Sequence, residues 1–414
     1  MEIGIPFGKS KMKLNIPDKN ILDIISGDSK NTRPDENKII ADALENPIES
    51  KRLAELAKGK RNAVVLASDI TRPCPSYKFL PYIVDELKAG GIKSSNIKVI
   101  FGIGIHRQHT DEEKVKLAGD YTYSNAQLID SDPSSCKLIG KTSYGTPVEV
   151  FRKVLGTDII IATGNIEYHY FAGYSGGAKA VMPGICSHGS ISANHSMMLN
   201  DRAIAGNYRD NPVRCDIEEA GKLLGIDFIF NVILDDNKNI IAAVAGENNA
   251  AFAKGIDIYD FLYRKEVEDT ADIVITSPGG YPKDINLYQS HKALENVKEA
   301  VAGNGRIILI AKCPEGFGEE TFANWMTDAA NFPLLSKRIR EKFVLGGHKA
   351  VAISKILSKT DVFLYSDFSK DITEAIGFKK LENIQGYLDS QISKYRSIKI
   401  TIIPTGRFVR LKDK

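Results

Sequence analysis

The stretch AVVLASDITRPCPSYKFLPYIVDELKAGGIKSSNIKVIFGI, residues 63–103, decides the fold class. Residues 63–67 are a short apolar run of the kind buried on both faces of a parallel sheet. The spacing of Phe79, Leu80, Ile83, Val84 and Leu87 predicts an amphipathic helix over 76–89. A second apolar run follows at 97–103. Strand, loop, helix, strand is a βαβ unit, the building block of parallel α/β sheets.

The same signature continues outward along the chain. Further apolar runs lie at 158–162 and 228–234, then at 273–276, 306–311, 362–365 and 398–403. Helical patterns at 294–302, 350–357 and 371–377 separate the later ones. The reading is an α/β protein of two doubly wound, Rossmann-like domains, 1–266 and 267–414. The boundary falls in the polar segment RKEVED at 264–269, just before a new strand. There is no fixed-period repeat and no low-complexity tract.

Bulk composition narrows the function. Of 414 residues, 43% are hydrophobic and 26% charged, which fits a folded globular chain rather than a disordered one. A net charge of +3 gives no ground for nucleic acid or an anionic membrane as partner. No apolar run approaches the roughly 18 residues of a membrane span. The opening MEIGIP lacks a basic region followed by an apolar one, so no signal peptide is expected. Cys74, Cys136, Cys186, Cys215 and Cys313 are odd in number, far apart and never in a C-x-x-C pair. A disulfide framework and a structural zinc site are therefore not expected, and a reducing cytoplasm is. Cys74 reads as a small buried filler.

Open α/β sheets bind ligands outside the carboxyl ends of their strands. The loops expected there are unusually polar: SDITRP at 68–73, GIHRQHT at 104–110, the segment 164–196, and SPGGYP at 277–282 leading to YQSHK at 288–292. Polar loops on both domains suggest an active site in the cleft between them. His106 and His169 follow different strands and could serve as general acid and base without large tuning. His195 reads either as a metal ligand or as a helix-end residue facing the dipole. His109 and His188 read as solvent-exposed. The Ser175-Gly176-Gly177 turn matches neither a Walker A loop nor a dinucleotide fingerprint, yet with Lys179 beside it a phosphate site is plausible. Lys179, among alanines, reads as a partly buried nucleophile or as a surface residue. Asp69 and Arg72 could pair to aim the arginine at an anion, or Asp69 could cap the following helix. Gln289 and Lys292 could bind a carboxylate or simply line a helix face.

Taken together these motifs resemble the nickel-dependent lactate racemase family. The resembling stretches are SDITRP (68–73), GIHRQHT (104–110), EYHYFAGYSGGAKAVMPGI (167–185), SANHS (192–196), GENNAAFAKG (246–255) and GGYPKDINLYQSHKAL (279–294), which follow one another across nearly the whole chain. The resemblance implies a nickel pincer nucleotide, a pyridinium-3-thioamide-5-thiocarboxylic acid mononucleotide, attached covalently to Lys179. It implies nickel held by two sulfurs and a ring carbon of that group and by His195, a planar set that suits Ni(II). It implies His106 and His169 as the acid/base pair: the hydroxyl proton is removed, the Cα hydrogen leaves as hydride, and a 2-keto acid turns its other face before the hydride returns. Arg72, Lys292, Gln289 and Tyr288 match substrate-binding positions. Asp69, Ser175, Gly176 and Gly177 match positions near the cofactor. Partners implied are a small 2-hydroxy acid and cofactor-maturation enzymes.

One departure concerns the pocket wall. The family carries a tryptophan in its second domain. The only tryptophan here is Trp325, and His348 aligns near the family position. A histidine there suggests a larger or more polar 2-hydroxy acid, such as malate, beside lactate. Rival readings are a hydrolase with a metal held by His106, His169 and His195, and a non-catalytic metabolite-binding protein. A nicotinamide dehydrogenase is disfavoured by the absent glycine fingerprint.

Overall fold

The computed structural model describes residues 1–25, 35–235, 237–406 and 408–412. The chain forms two compact units: Lys30–Leu262, and Met1–Ser29 together with Tyr263–Lys414. This differs from the expected 1–266 and 267–414 at the N-terminus. The reason is burial. Ile3, Ile5 and Leu14 of an N-terminal hairpin, Glu2–Phe7 against Ser10–Asn15, and Ile16 just after it share a core with Ile273, Ile308 and Ile400. The strand Ile21–Ile24 then pairs in parallel with Ile400–Ile403.

The sheet of the Lys30–Leu262 unit has six strands, in the order Ile240–Gly246, Phe228–Leu234, Ile159–Asn165, Ala63–Ser68, Ile97–Gly102, Gln127–Asp130. All neighbours are parallel except the first pair. From Ala63–Ser68 the chain steps outward to one side, then returns to build the other side from Ile159–Asn165. The order therefore reverses between these two strands, and their carboxyl ends open on the crevice where doubly wound sheets bind ligands. The helix Ser76–Ala89 lies where its apolar spacing places it. Phe79, Leu80, Ile83, Val84 and Leu87 are all buried, in one core with Val65, Val99 and Phe101.

The second unit carries an all-parallel sheet ordered Lys379–Lys380, Asp361–Tyr365, Val301–Ile310, Ala271–Thr276, Ile400–Ile403, Ile21–Ile24. Its order reverses between Ala271–Thr276 and Ile400–Ile403. The helix expected over 294–302 is instead Leu287–Val297. It starts early because the Asn286 side chain caps it, accepting from the Gln289 N–H. It ends early because Val301 is already paired with Ala271 in the sheet. The five cysteines are unpaired. No helix among the described residues is long and apolar enough to cross a membrane.

Candidate active site

The site of the Lys30–Leu262 unit begins at the end of Ala63–Ser68. Asp69 is 2% exposed and does not cap the next helix, whose N-cap is Pro75 without a side-chain bond. Its carboxylate instead accepts from His106 Nδ1 at 2.6 Å and from Thr71 Oγ1 at 2.9 and 3.0 Å. Arg72 Nε stands 3.9 Å away. Burial works against the carboxylate, but the bond and charge of His106, with Arg72 and Thr71, outweigh it and hold Asp69 below the ordinary range. An ionised carboxylate can only accept, so the Nδ1 of His106 carries a proton, and in the neutral form of the ring the lone pair lies on Nε2. This is the arrangement that orients an imidazole as a general base.

His109 corrects an expectation. Read as solvent-exposed, it is 7% exposed and packed edge-on against Phe101. Its Nδ1 faces Asp130 Oδ1 at 2.7 Å, and its Nε2 accepts from the Ile70 N–H at 3.1 Å. His188 is exposed, at the start of the helix His188–Ser196.

His169 sits in a two-residue strand pair, Tyr168–His169 against Gly173–Tyr174. The Ala172 N–H donates to its Nδ1 at 3.2 Å. The neutral ring therefore keeps its proton on Nε2, opposite to His106. Both tyrosines of the pair donate to Asp260, at 2.8 and 2.9 Å, which anchors the hairpin to the helix Asn248–Tyr263.

The Ser175-Gly176-Gly177 turn is built for close packing. Gly176 and Gly177 have φ of +86° and +57°. A Cβ on Gly177 would stand 2.8 Å from Arg214 Nη2 and 3.0 Å from the Phe252 ring. The Ser175 N–H donates to Glu167 O at 2.8 Å and the Gly177 N–H to Asn231 Oδ1 at 2.7 Å. These two amides are thus engaged within the protein. Behind the turn the buried Arg214 pairs with Glu218, donates to Tyr174 O and Gly176 O, and lies 4.0 Å from the Phe252 ring centroid.

Lys179 follows in the short 3-10 helix Gly177–Ala180. Burial, then the Arg72 and Arg214 cations, push its ammonium well below the usual lysine range, against Glu167. A neutral amine is a nucleophile. His195, at the end of its helix, is buried, with its ring edge-on to Phe171. Asn194 Nδ2 donates to Val213 O and Asp216 Oδ2, so its Oδ1 is the atom 3.0 Å from His195 Nδ1. That contact puts the imidazole proton on Nδ1 and the lone pair on Nε2, the tautomer of a metal-ligating histidine.

These residues fit the implied cofactor. A half-buried lysine whose charged form is disfavoured suits a covalent amide-type link, which carries no charge. One oriented imidazole suits a metal whose other ligands come from an organic group. Among the described residues no cluster of three His, Cys, Asp or Glu side chains is placed to ligate a metal.

In the second unit Tyr288, Gln289 and Lys292 lie on the first turns of Leu287–Val297, with Lys292 exposed and the other two half-buried. Sequence reasoning passed over Lys349. Its ammonium lies 3.3 Å from the Tyr288 ring centroid and donates to Tyr288 O at 3.0 Å. His291 Nδ1 also donates to that carbonyl, at 2.8 Å. No spacing rule marks a buried lysine within an apolar helix as an aromatic partner. His348 is buried, accepts from the Gly346 N–H at 3.2 Å and packs on Phe343. Burial and neighbouring Lys349 push its pKa down from 6.5 to about 3. Its ring is packed within its own unit, so a larger pocket is not read from it.

Two family models cover most of the chain: "Lactate racemase N-terminal domain" over residues 7–206 and "Lactate racemase C-terminal domain" over 267–410. A lactate racemase of Thermoanaerobacterium thermosaccharolyticum is 34% identical, over 100% of this chain and 99% of that protein. A lactate racemase of Lactiplantibacillus plantarum is 31% identical, over 99% of each. The solved apoprotein structure of the former superposes with a TM-score of 0.88 over the full length of both chains. A Thermotoga maritima protein, 18% identical with a TM-score of 0.62 over 91% of this chain and 98% of its own, shares the fold. With matches of this extent and identity, the chain belongs to the lactate racemase family of isomerases.

Proposed function

We propose that this racemase interconverts the enantiomers of lactate with a nickel pincer nucleotide carried on Lys179 and nickel held by His195 Nε2. The observation that carries the reading is the Asp69–His106 pair, 2.6 Å apart, at the same switch point as Lys179, whose ammonium form burial and the Arg72 and Arg214 cations disfavour. When bound, the group supplies the hydride acceptor. The chain's own residues do the rest. Asp69 keeps the His106 lone pair on Nε2, from which it takes the substrate hydroxyl proton. His169, with Nε2 protonated, is set as the donor for the other enantiomer's hydroxyl. Two imidazoles in opposite tautomers give a racemase one base and one acid at rest. Arg72, partly exposed beside Asp69, binds the substrate carboxylate. On the second unit Lys292, Gln289 and Tyr288 are assigned to substrate binding by resemblance. Cofactor-maturation enzymes are the implied partners. The cytoplasm suits five unpaired thiols.

The test is maturation of the protein together with cofactor-building enzymes, beside a Lys179→Ala control. Intact mass should show a covalent adduct with about one nickel in the first and neither in the second. Loaded protein should bring pure L- or D-lactate to the racemic mixture without added NAD. An absolute requirement for NAD, or inert loaded protein, overturns the reading.

A further inference from the structure

The loop that carries Asp69 and Arg72 is held from the far side by residues to which no role has been given. Asp130 ends the strand Gln127–Asp130, two strands away from Ala63–Ser68. One oxygen, Oδ2, accepts the backbone N–H of His109 at 2.7 Å, and the other, Oδ1, faces His109 Nδ1 at 2.7 Å. The Ile70 N–H can only donate, so His109 Nε2 accepts it at 3.1 Å and the imidazole proton lies on Nδ1, pointing at Asp130. The side chains of His109 and Asp130 are 1% and 5% exposed. The ring is wedged edge-on against Phe101, on the strand in between. A buried carboxylate, an imidazole and a backbone amide thus form one continuous line from the sheet edge to the residue following Asp69.

We infer that Asp130 and His109 are positioning residues, which fix the Asp69 loop so that Asp69 meets His106 Nδ1. The geometry is economical. His106 and His109 share one short loop, and Asp69 and Ile70 are adjacent, so the two loops are joined twice, once by each histidine. The buried join is insulated from solvent, and the half-buried join is left to do chemistry. Removing His109 leaves the Ile70 amide and the Asp130 carboxylate without this partner. The loop then relaxes, and the 2.6 Å contact with it. This inference rests on the reading of Asp69–His106 as the acid/base machinery.

The experiment has an arm that needs no cofactor. In protein with ¹⁵N-labelled histidine, His106 should show a far-downfield Nδ1 proton, and His109 should keep Nδ1 protonated and Nε2 bare near pH 8. His109→Leu should shift or broaden the His106 proton, while His109→Gln, which retains a donor and an acceptor, should restore much of it. In loaded protein His109→Leu should lower kcat ten-fold or more. In an Asp69→Asn background the same change should cost less than two-fold, because its route of action is already lost. An unmoved His106 proton, or losses that multiply in the double variant, overturns the inference. Unchanged turnover in Asp69→Asn alone would count against the acid/base reading instead, and the spectra would still decide the positioning role. If His109→Leu does not fold, Asp130→Asn takes its place in both arms.

Discussion

At the scale of single residues the site is an exercise in proton placement. His106 and His169 are chemically the same side chain, yet a carboxylate holds one with its proton on Nδ1 and a backbone amide holds the other with its proton on Nε2. Asp69→Asn should therefore let His106 adopt the wrong tautomer and lower kcat roughly a hundred- to ten-thousand-fold, with a smaller change in KM; steady-state assays on both enantiomers check this. Because the equilibrium constant of racemisation is one, kcat/KM must fall equally in the two directions, an internal control on the assay. Lys179→Arg keeps a long basic side chain but removes the nucleophilic amine, and intact mass should show no adduct.

Elements matter here for what they force the backbone to do. The hairpin bearing His169 is only two residues wide on each side, and Gly173 opposes His169 with φ of +75°. A Cβ there would meet Asn207 O at 2.0 Å, a backbone atom that cannot swing aside. Gly173→Ala should lower stability by about 2–4 kcal/mol from strain and overpacking. It should also misplace His169, so that the melting temperature and kcat drop together. Thermal melts beside kinetics check this. A surface glycine such as Gly59, whose Cβ would meet nothing within 4 Å, is the matched control for the loss of a positive φ alone.

At the scale of the whole molecule, two predictions concern the unit that carries both chain ends. Residues 1–25 supply an edge strand and contribute Ile3, Ile5, Leu14 and Ile16 to the apolar core. Deleting them should cost roughly 6 kcal/mol or more from lost apolar burial, read as a fall in the denaturant midpoint. The second concerns acid. His348 stays neutral in the fold, with its pKa pushed down to about 3, whereas the unfolded chain protonates it from about 6.5 downward. Unfolding then takes up a proton, so stability is complete above pH 6.5 and declines as pH falls toward 3, by about 1.4 kcal/mol per pH unit. His291, lowered by burial and by Lys349, adds in the same direction. Melting temperatures from pH 7.5 to 5 should fall, and His348→Gln should show a shallower fall.

Apolar runs and 3.6-residue periodicity are local properties of the chain, so the four inner strands of each large sheet, the first-unit helix and the polar loops that follow the strands are legible in the sequence, whereas the edge strands are not. The family was legible for the same reason: its motifs are contiguous. Only the tertiary structure decided where the N-terminal 25 residues belong, since a strand's partner is chosen by core burial at a distance of hundreds of positions. It decided that His109 is buried, because the carboxylate that holds it ends a different strand. It decided that Gly177 packs against Arg214 and Phe252, with its N–H bonded to Asn231 rather than turned outward. And it decided which nitrogen of His106, His169 and His195 carries the proton. Tautomers follow from hydrogen-bond partners, and partners are set by the fold.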